Sequence, residues 1–385
     1  MSTGRQLRRP REGMAYAVLP NSRHPALLLP TNHSAVAAMM LRNYKTSASS
    51  RSRAKFRVMA LAARAGALRL LPDQMLVHES TGDADSDLVG HLRRVLGHEV
   101  HVAVYMGAPR ANRKPVLQIL GPGAETLAFA KVGTNALTRR LVRHEASALT
   151  LLASRPMGTV TVPPLLHDGP WHGHQILVQG ALGQDRASGS AFPSALERAM
   201  MEVAGLDGIA MRNARASGYW RRLHERISDL HLDPQGAGLK DALIALDPVA
   251  ASTEMAFGAW HGDWTPWNML AQGNRIQVWD WERFETDVPV GFDAFHFALQ
   301  RAVSRDREQA GPAARRLLER STTLLAPFGV PTDSARLVAT LYLLDLGARY
   351  LKDRQYEAGA ALGNLSTWLL PVVSDSSQSL RVERS

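Results

Sequence analysis

The sequence predicts an α+β chain in which a small antiparallel sheet precedes a mostly helical half, with a basic segment appended ahead of both. Three observations carry this. Between His101 and Val132, three short apolar runs read as strands, and Gly121-Pro122-Gly123 turns the second into the third. After Pro193 the apolar residues recur mostly at helical spacing. Ahead of Ser86 the charge is one-sided: residues 1–60 hold 11 Lys/Arg against one acid, Glu12, a net +10. Residues 183–385 hold 22 Lys/Arg against 25 acids, a net −3, so the basic balance belongs to the N-terminal segment.

Taken in order, residues 1–13 read as a basic tail. Tyr16–Leu19 and Ala26–Leu29 read as short strands around Pro20-Asn21-Ser22, and Ser34–Arg42 as a short helix. Lys45–Arg53 is rich in Ser and charge and reads as a linker. Phe56–Leu71 reads as an amphipathic helix carrying Arg57, Arg64 and Arg69. Residues 1–85 are therefore expected to form an appended module. Their charge is read in two ways: as attraction to an anionic surface through residues 1–60, or as a solvated Arg-rich face.

Ser86 can cap a helix that buries Leu88, Val89, Leu92, Val95 and Leu96 and stops at Gly97. The strands His101–Met106, Pro115–Leu120 and Thr126–Val132 follow. The connection 107–115 carries Arg110, Arg113 and Lys114, which suit either phosphates or an exposed basic turn. Lys131 alternates with apolar neighbours near the end of the third strand. In the next helix Leu137, Leu141, Ala148, Leu149 and Leu152 make an inward stripe, and Glu145 lies on it, four residues from both Leu141 and Leu149. A buried carboxylate is costly unless paired, and Lys131 is its expected partner. Val160–His167 and His174–Gln179 read as further strands, and Gly180–Gly189 as a Gly- and Ser-rich hinge. The expected lobes are 86–182 and 183–385. In the second, helices are expected at 193–204, 214–230, 239–246, 294–302, 313–325, 334–351 and 357–370.

Composition excludes some chemistry. The chain has 385 residues and no cysteine, so disulfides, thiolate metal sites and a cysteine nucleophile are ruled out. No apolar run reaches the length of a membrane span. No apolar stretch follows the basic start in the manner of an export signal, so the cytoplasm is the expected location.

The chemistry concentrates in His261-Gly-Asp263-Trp-Thr-Pro-Trp-Asn268 and Val278-Trp-Asp280-Trp-Glu282. Met269–Ala271 and Arg275–Trp279 read as the strands of a hairpin turned by Gln272-Gly273-Asn274. The start of one strand then lies beside the end of the other, which brings Asn268 and Asp280 to one edge, with Asp263 entering just before them. Two acids and an amide at one edge suit Mg²⁺, which takes oxygen ligands and leaves room for substrate phosphates. The remaining carboxylate can meet a substrate hydroxyl, the layout of phosphoryl transfer.

H-G-D-x-x-x-x-N followed by D-W-E resembles the aminoglycoside phosphotransferase/choline kinase-like family. The resemblance implies a bilobal protein-kinase-like fold and an ATP- or GTP-dependent, Mg²⁺-dependent transfer of a phosphoryl group to the hydroxyl of a small molecule. It implies that Asp263 is the catalytic carboxylate, that Asn268 and Asp280 hold the metal, and that Glu145 positions Lys131 on the nucleotide phosphates. Backbone groups of Gln179, Gly180 and Ala181 match the positions that meet the base. His261, Glu282 and Asp293 support the site; Asp293 matches an aspartate that holds the catalytic loop from a helix start, and it also suits an N-cap. Only twelve residues separate Asp280 from Asp293, too few for the activation segment of a protein kinase. The resemblance does not reach residues 1–85, and it leaves the acceptor open.

Overall fold

The computed structural model of the chain describes residues 14–43, 50–77, 87–107, 110–183, 193–360 and 362–383. It divides into two compact units. The first comprises Met1–Ala108, Arg113–Thr134 and Leu165–Ala181. Its strands are β1 (Met14–Leu19), β2 (Leu27–Pro30), β3 (Gln74–Val77), β4 (His101–Tyr105), β5 (Val116–Leu120), β6 (Thr126–Gly133), β8 (Leu165–Trp171) and β9 (His174–Gly180). Its helices are α1 (Ser34–Asn43), α2 (Ser50–Arg64) and α3 (Leu88–Leu96). The strands form one eight-stranded sheet in the order β3-β1-β2-β4-β5-β6-β9-β8, antiparallel at every pairing.

Strand alternation explains the packing. Leu117 and Ile119 on β5, and Ala128, Ala130 and Val132 on β6, face a core that also takes Leu92 from α3. A second core joins Ala17, Leu27 and Leu29 of the sheet to Met40 and Leu41 of α1 and to Ala60 and Ala63 of α2. Lys131 falls between Ala130 and Val132 and so points to the opposite face.

The structure differs from the sequence expectations here in identifiable ways. β2 pairs with β4, so the boundary expected at 85–86 falls inside a continuous sheet. α2 begins at Ser50, inside the expected linker, and ends at Arg64, where Gly66 adopts φ 85°. Ser86 lies outside the described residues, and α3 is capped instead by Asp87, whose carboxylate accepts the Gly90 N–H at 2.7 Å. Gly97 ends α3 as expected, in the left-handed region at φ 77°.

The second unit comprises Pro109–Asn112, Asn135–Pro164 and Leu182–Ser385. It carries α4 (Ala136–Ala153), β7 (Val160–Thr161), α5 (Pro193–Ala204), β10 (Ala210–Asn213), α6 (Gly218–Ser228), α7 (Pro234–Ala245) and α8 (Asp247–Ala251). Then follow β11 (Glu254–Trp260), β12 (Met269–Gln272), β13 (Arg275–Val278), β14 (Glu285–Pro289), α9 (Phe292–Gln300), α10 (Ala310–Glu319), α11 (Ser321–Leu325), α12 (Thr332–Lys352) and α13 (Leu369–Glu383). α12 is the buried centre, with Leu337, Leu341, Leu343, Leu344 and Leu346 all within the core. No helix among the described residues is long and apolar enough to cross a membrane.

Two small sheets frame the chemistry. β10-β11-β14 is antiparallel, and its β11 delivers the chain to His261. In β12-β13-β7 the expected hairpin gains a parallel third strand, with Ile276 opposite Val160. The strand expected over 160–167 is thus split. Pro163-Pro164 supplies no N–H for a ladder, and β7 and β8 on either side of it belong to different units. Among the described residues the helix expected over 357–370 is absent: residues 353–359 are turns, and the last helix starts at Leu369. The expected α+β organisation, an antiparallel sheet and then a mostly helical part, is the one the chain adopts.

Candidate active site

The loop 261–268 leaves β11 and returns into β12, and four anchors fix it. Gly262 adopts φ 84°, and a Cβ there would lie 2.1 Å from the carbonyl oxygen of Arg283, so only glycine fits. Asp293, in the first turn of α9, accepts the His261 N–H at 2.7 Å and the Gly262 N–H at 3.1 Å, one on each carboxylate oxygen. Arg349 of α12 donates to the Gly262 carbonyl at 2.6 Å. His261 is fully buried; its Nδ1 accepts the Asp263 N–H at 3.1 Å and its Nε2–H donates to Trp279 O at 3.1 Å. That pair of bonds fixes a neutral tautomer, and burial pulls the imidazole down to about 4. The ring packs edge-on against Trp281, 4.5 Å between centroids. His261 and Asp293 thus both hold the loop through hydrogen bonds, and the N-cap position of α9 belongs to Gly291.

Asp263 keeps 30% of its side chain exposed. Its Oδ2 accepts from Asn268 Nδ2 at 3.0 Å and its Oδ1 from His296 Nε2 at 2.9 Å. Burial alone would raise this carboxyl, but the hydrogen bond from His296, helped by the positive charge of Arg349, holds it below its ordinary value. Asn268 Nδ2 also donates to the Asp263 carbonyl at 3.0 Å, which leaves its Oδ1 as the amide atom able to ligate a cation. The hairpin brings Asn268 beside Asp280: Met269 lies opposite Val278, and the Trp279 N–H donates to Asn268 O at 3.1 Å. Asp280 has φ 73°, in the left-handed region that aspartate enters more readily than most residues with a side chain.

A grouping that the sequence did not suggest lies beside it. Among the described residues, Glu145, Asp280 and Glu282 each offer a carboxylate oxygen, all within 4.8 Å of one another. Glu145 is fully buried on α4, on the inward stripe as expected, and accepts the Trp281 N–H at 3.3 Å. Glu282 is 2% exposed; its Oε1 accepts from Asn112 at 3.1 Å and its carbonyl meets His144 Nδ1 at 2.9 Å. Three carboxylates so close together form a hard oxygen donor set of the kind that suits Mg²⁺.

In the first unit Lys131 is 5% exposed, opposite Val116 and Leu177 in the sheet. Gln179 is 5% exposed, and Gln179 and Gly180 pair with Phe129 and Ala128. Ala181 already donates its N–H to Leu127 O at 2.9 Å, so of the three expected base-binding positions it has no N–H to offer. Arg113 is likewise committed, donating to Met106 O and Pro25 O, both at 2.9 Å.

Sequence reasoning missed His296, Tyr342 and Arg349 as members of the site. His296 sits three residues after Asp293, a spacing that puts both on one face of α9 and could have been read. Tyr342 and Arg349 lie far along the chain in a helix that looks like core throughout.

The buried groups make a pH dependence with a definite sign. His261, held near 4 against 6.5 unfolded, contributes stability that is lost as pH falls from 6.5 to about 4. Asp293 behaves oppositely: burial raises it to about 7, more than its two N–H bonds lower it. Its contribution is present below 3.8 and lost as pH rises to about 7. Between 4 and 6.5 the two slopes oppose each other, each about 1.4 kcal/mol per pH unit. Asp293→Asn should steepen the loss of stability on acidification by about that slope. The amide also forfeits one acceptor, a pH-independent cost, so the slope is the readout. Urea midpoints at pH 4.5, 5.5 and 6.5 with equal slopes in both chains would contradict the assignment.

No family model matches the chain, and no curated protein matches its sequence. Among solved structures, the chain is similar to a thermostable mutant of aminoglycoside phosphotransferase APH(4)-Ia in ternary complex with AMP-PNP and hygromycin B. The identity is 16%, over 76% of this chain and 98% of that one, with a TM-score of 0.48. It is also similar to a provisional fructosamine-3-kinase from Haemophilus somnus 129PT, at 13% identity over 76% and 96%, TM-score 0.47. Another provisional fructosamine-3-kinase, from Thermobifida fusca YX-ER1, gives 16% identity over 77% and 99%, TM-score 0.46.

Proposed function

We propose that the chain is a small-molecule kinase that moves the γ-phosphoryl group of ATP or GTP to a hydroxyl acceptor, with Mg²⁺. The observation that carries this reading is the Asp263 carboxylate, held at both oxygens yet still partly open to solvent, beside the Asn268–Asp280 edge. In this reading Asp263 accepts the proton of the acceptor hydroxyl, whose oxygen forms the new bond to phosphorus as the bond to the nucleoside diphosphate breaks. Asn268 Oδ1 and Asp280 hold Mg²⁺, and the buried acids Glu145 and Glu282 add negative charge beside it. The ion supplies charge neutralisation at the phosphates. Lys131 contacts the nucleotide phosphates, with Glu145 as its positioning partner. Backbone groups of Gln179, Gly180 and Ala181 serve the base, the Ala181 N–H excepted, since it is held by Leu127 O.

The test is transfer of labelled γ-phosphate in the presence of Mg²⁺ across a panel of hydroxyl compounds. Absence of both transfer and nucleotide binding would remove the reading; binding without transfer would make the chain a silent nucleotide-binding protein. Asp280→Asn is the accompanying variant. Asparagine tolerates positive φ, so the fold should persist. The Mg²⁺ concentration for half-maximal activity should rise by about tenfold, the equivalent of about 1.4 kcal/mol of lost ligation. An unchanged Mg²⁺ titration would take Asp280 off the ion.

A further inference from the structure

α9 presents two groups to the loop 261–268, and α12 presents one to the loop and one to α9. On α9, Asp293 grips backbone N–H groups while His296, three residues later, reaches the Asp263 side chain. On α12, Arg349 grips the Gly262 carbonyl, and Tyr342, seven residues earlier on the same face, meets His296 Nδ1 at 3.1 Å. The result is a continuous line, Tyr342 Oη to His296 to Asp263 Oδ1. It lies in an apolar setting: Tyr342 is fully buried, with Phe292 5.7 Å and Phe295 5.9 Å away between ring centroids.

We propose that His296 is a positioning residue for Asp263: a neutral imidazole, protonated on Nε2 because Tyr342 donates to Nδ1, that fixes the orientation of the catalytic carboxylate. This rests on the kinase reading above. The donor order follows from chemistry. Asp263 is ionised and can only accept, so Nε2 carries the proton. A neutral ring then has its lone pair on Nδ1, which requires a donor, and the Tyr342 hydroxyl is the group facing it. Burial lowers His296 and raises Tyr342 well above its ordinary range, in keeping with a neutral ring and an intact hydroxyl. Because Nε2 already holds a proton, His296 cannot take one from Asp263. The line is a brace, not a relay, and the proton gained from the acceptor stays on Asp263 until it leaves to solvent. With His296 on Oδ1 and Asn268 on Oδ2, the carboxylate plane is set from both sides, and the lone pairs left over are those available to a hydroxyl.

The experiment compares wild type with Tyr342→Phe, His296→Phe, His296→Gln and Asp263→Ala. Nitrogen-15 spectra of the labelled histidines report the tautomer without any substrate. ATP hydrolysis with Mg²⁺, water standing in for the hydroxyl, reports kcat and KM, and thermal midpoints report folding. Wild-type His296 should show the neutral Nε2–H form, and Tyr342→Phe should mix in the other tautomer. Tyr342→Phe should lower kcat about fivefold with KM for nucleotide unchanged, the scale of one hydrogen bond. His296→Phe should lower kcat about 10²-fold, and His296→Gln, which restores an N–H near Nε2, should recover most of it. An imidazolium spectrum, a Tyr342→Phe that shifts the midpoint but leaves kcat alone, or a His296→Gln that loses kcat about 10²-fold, overturns the proposal. If His296→Phe fails to fold, the other two variants decide. Full activity in Asp263→Ala would instead overturn the kinase reading; an inactive Asp263→Ala beside a fully active His296→Phe overturns only the brace.

Discussion

Asp263→Ala should lower phosphoryl transfer about 10²–10⁴-fold, the range for a positioned general base, while nucleotide affinity changes little. The carboxylate is the one group of the loop that is anchored at both oxygens and still partly open to solvent. His261 is sealed beneath it, and Asp293 is occupied by two backbone N–H groups. Removing the carboxylate takes away the acceptor for the substrate proton but none of the groups proposed to hold phosphates or Mg²⁺. It also strands the His296 and Asn268 donors, at about 1–3 kcal/mol of stability, so turnover must be measured below the variant's own melting range. Transfer near the wild-type rate would remove Asp263 from the chemistry.

Gly262→Ala should be the most damaging backbone change at the site, destabilising by about 2–4 kcal/mol and abolishing transfer with it. Two costs combine. At φ 84° an L-residue is strained, and the new Cβ would lie 2.1 Å from Arg283 O and 2.7 Å from its carbonyl carbon. These are backbone atoms, so no side-chain rotation relieves the clash. Gly273, in the hairpin turn at φ 58°, is the control: nothing lies within 4 Å of a Cβ there. Gly273→Ala should cost only about 1 kcal/mol. Equal denaturant midpoints for the two variants would show that the loop yields where the structure has it locked.

Much of the site was legible because it is local. The H-G-D-x-x-x-x-N spacing and the hairpin place Asp263, Asn268 and Asp280 through contacts within about a dozen residues of chain, and Met269–Gln272 pairs with Arg275–Val278 as the alternation implied. The Glu145 stripe was legible for the same reason, since 3.6-residue periodicity is intrinsic to one helix. What it meets was not: Trp281 lies 136 residues away. Tyr342 and Arg349 were hidden among the apolar residues of α12, where periodicity cannot separate a buried tyrosine with a task from one that only packs. β11 and β14 were missed because neither forms a hairpin with its sequence neighbour; they pair with each other across the catalytic loop. Gly359 at φ 80° ends any helical run in the stretch where a helix was expected, a signal that the apolar spacing of 357–370 overrode.

The parallel pairing of β7 with β13 bears on proteolysis. A two-stranded ribbon is marginal in water, yet here the return strand is central: Ile276 donates to Thr159 O at 2.8 Å, and Arg275 reaches Thr161, Met157 and Val160. Glu202 of α5 ties down the same stretch by accepting the N–H groups of Gly158, Thr159 and Val160. The Asn268–Asp280 edge therefore depends on a segment more than a hundred residues upstream. A protease cut just ahead of Val160 would leave Asp263, Asn268 and Asp280 in place on the chain and still free the ribbon to slip, so that integrity of the 157–161 peptide, as much as of the loop itself, would set how long the site survives digestion.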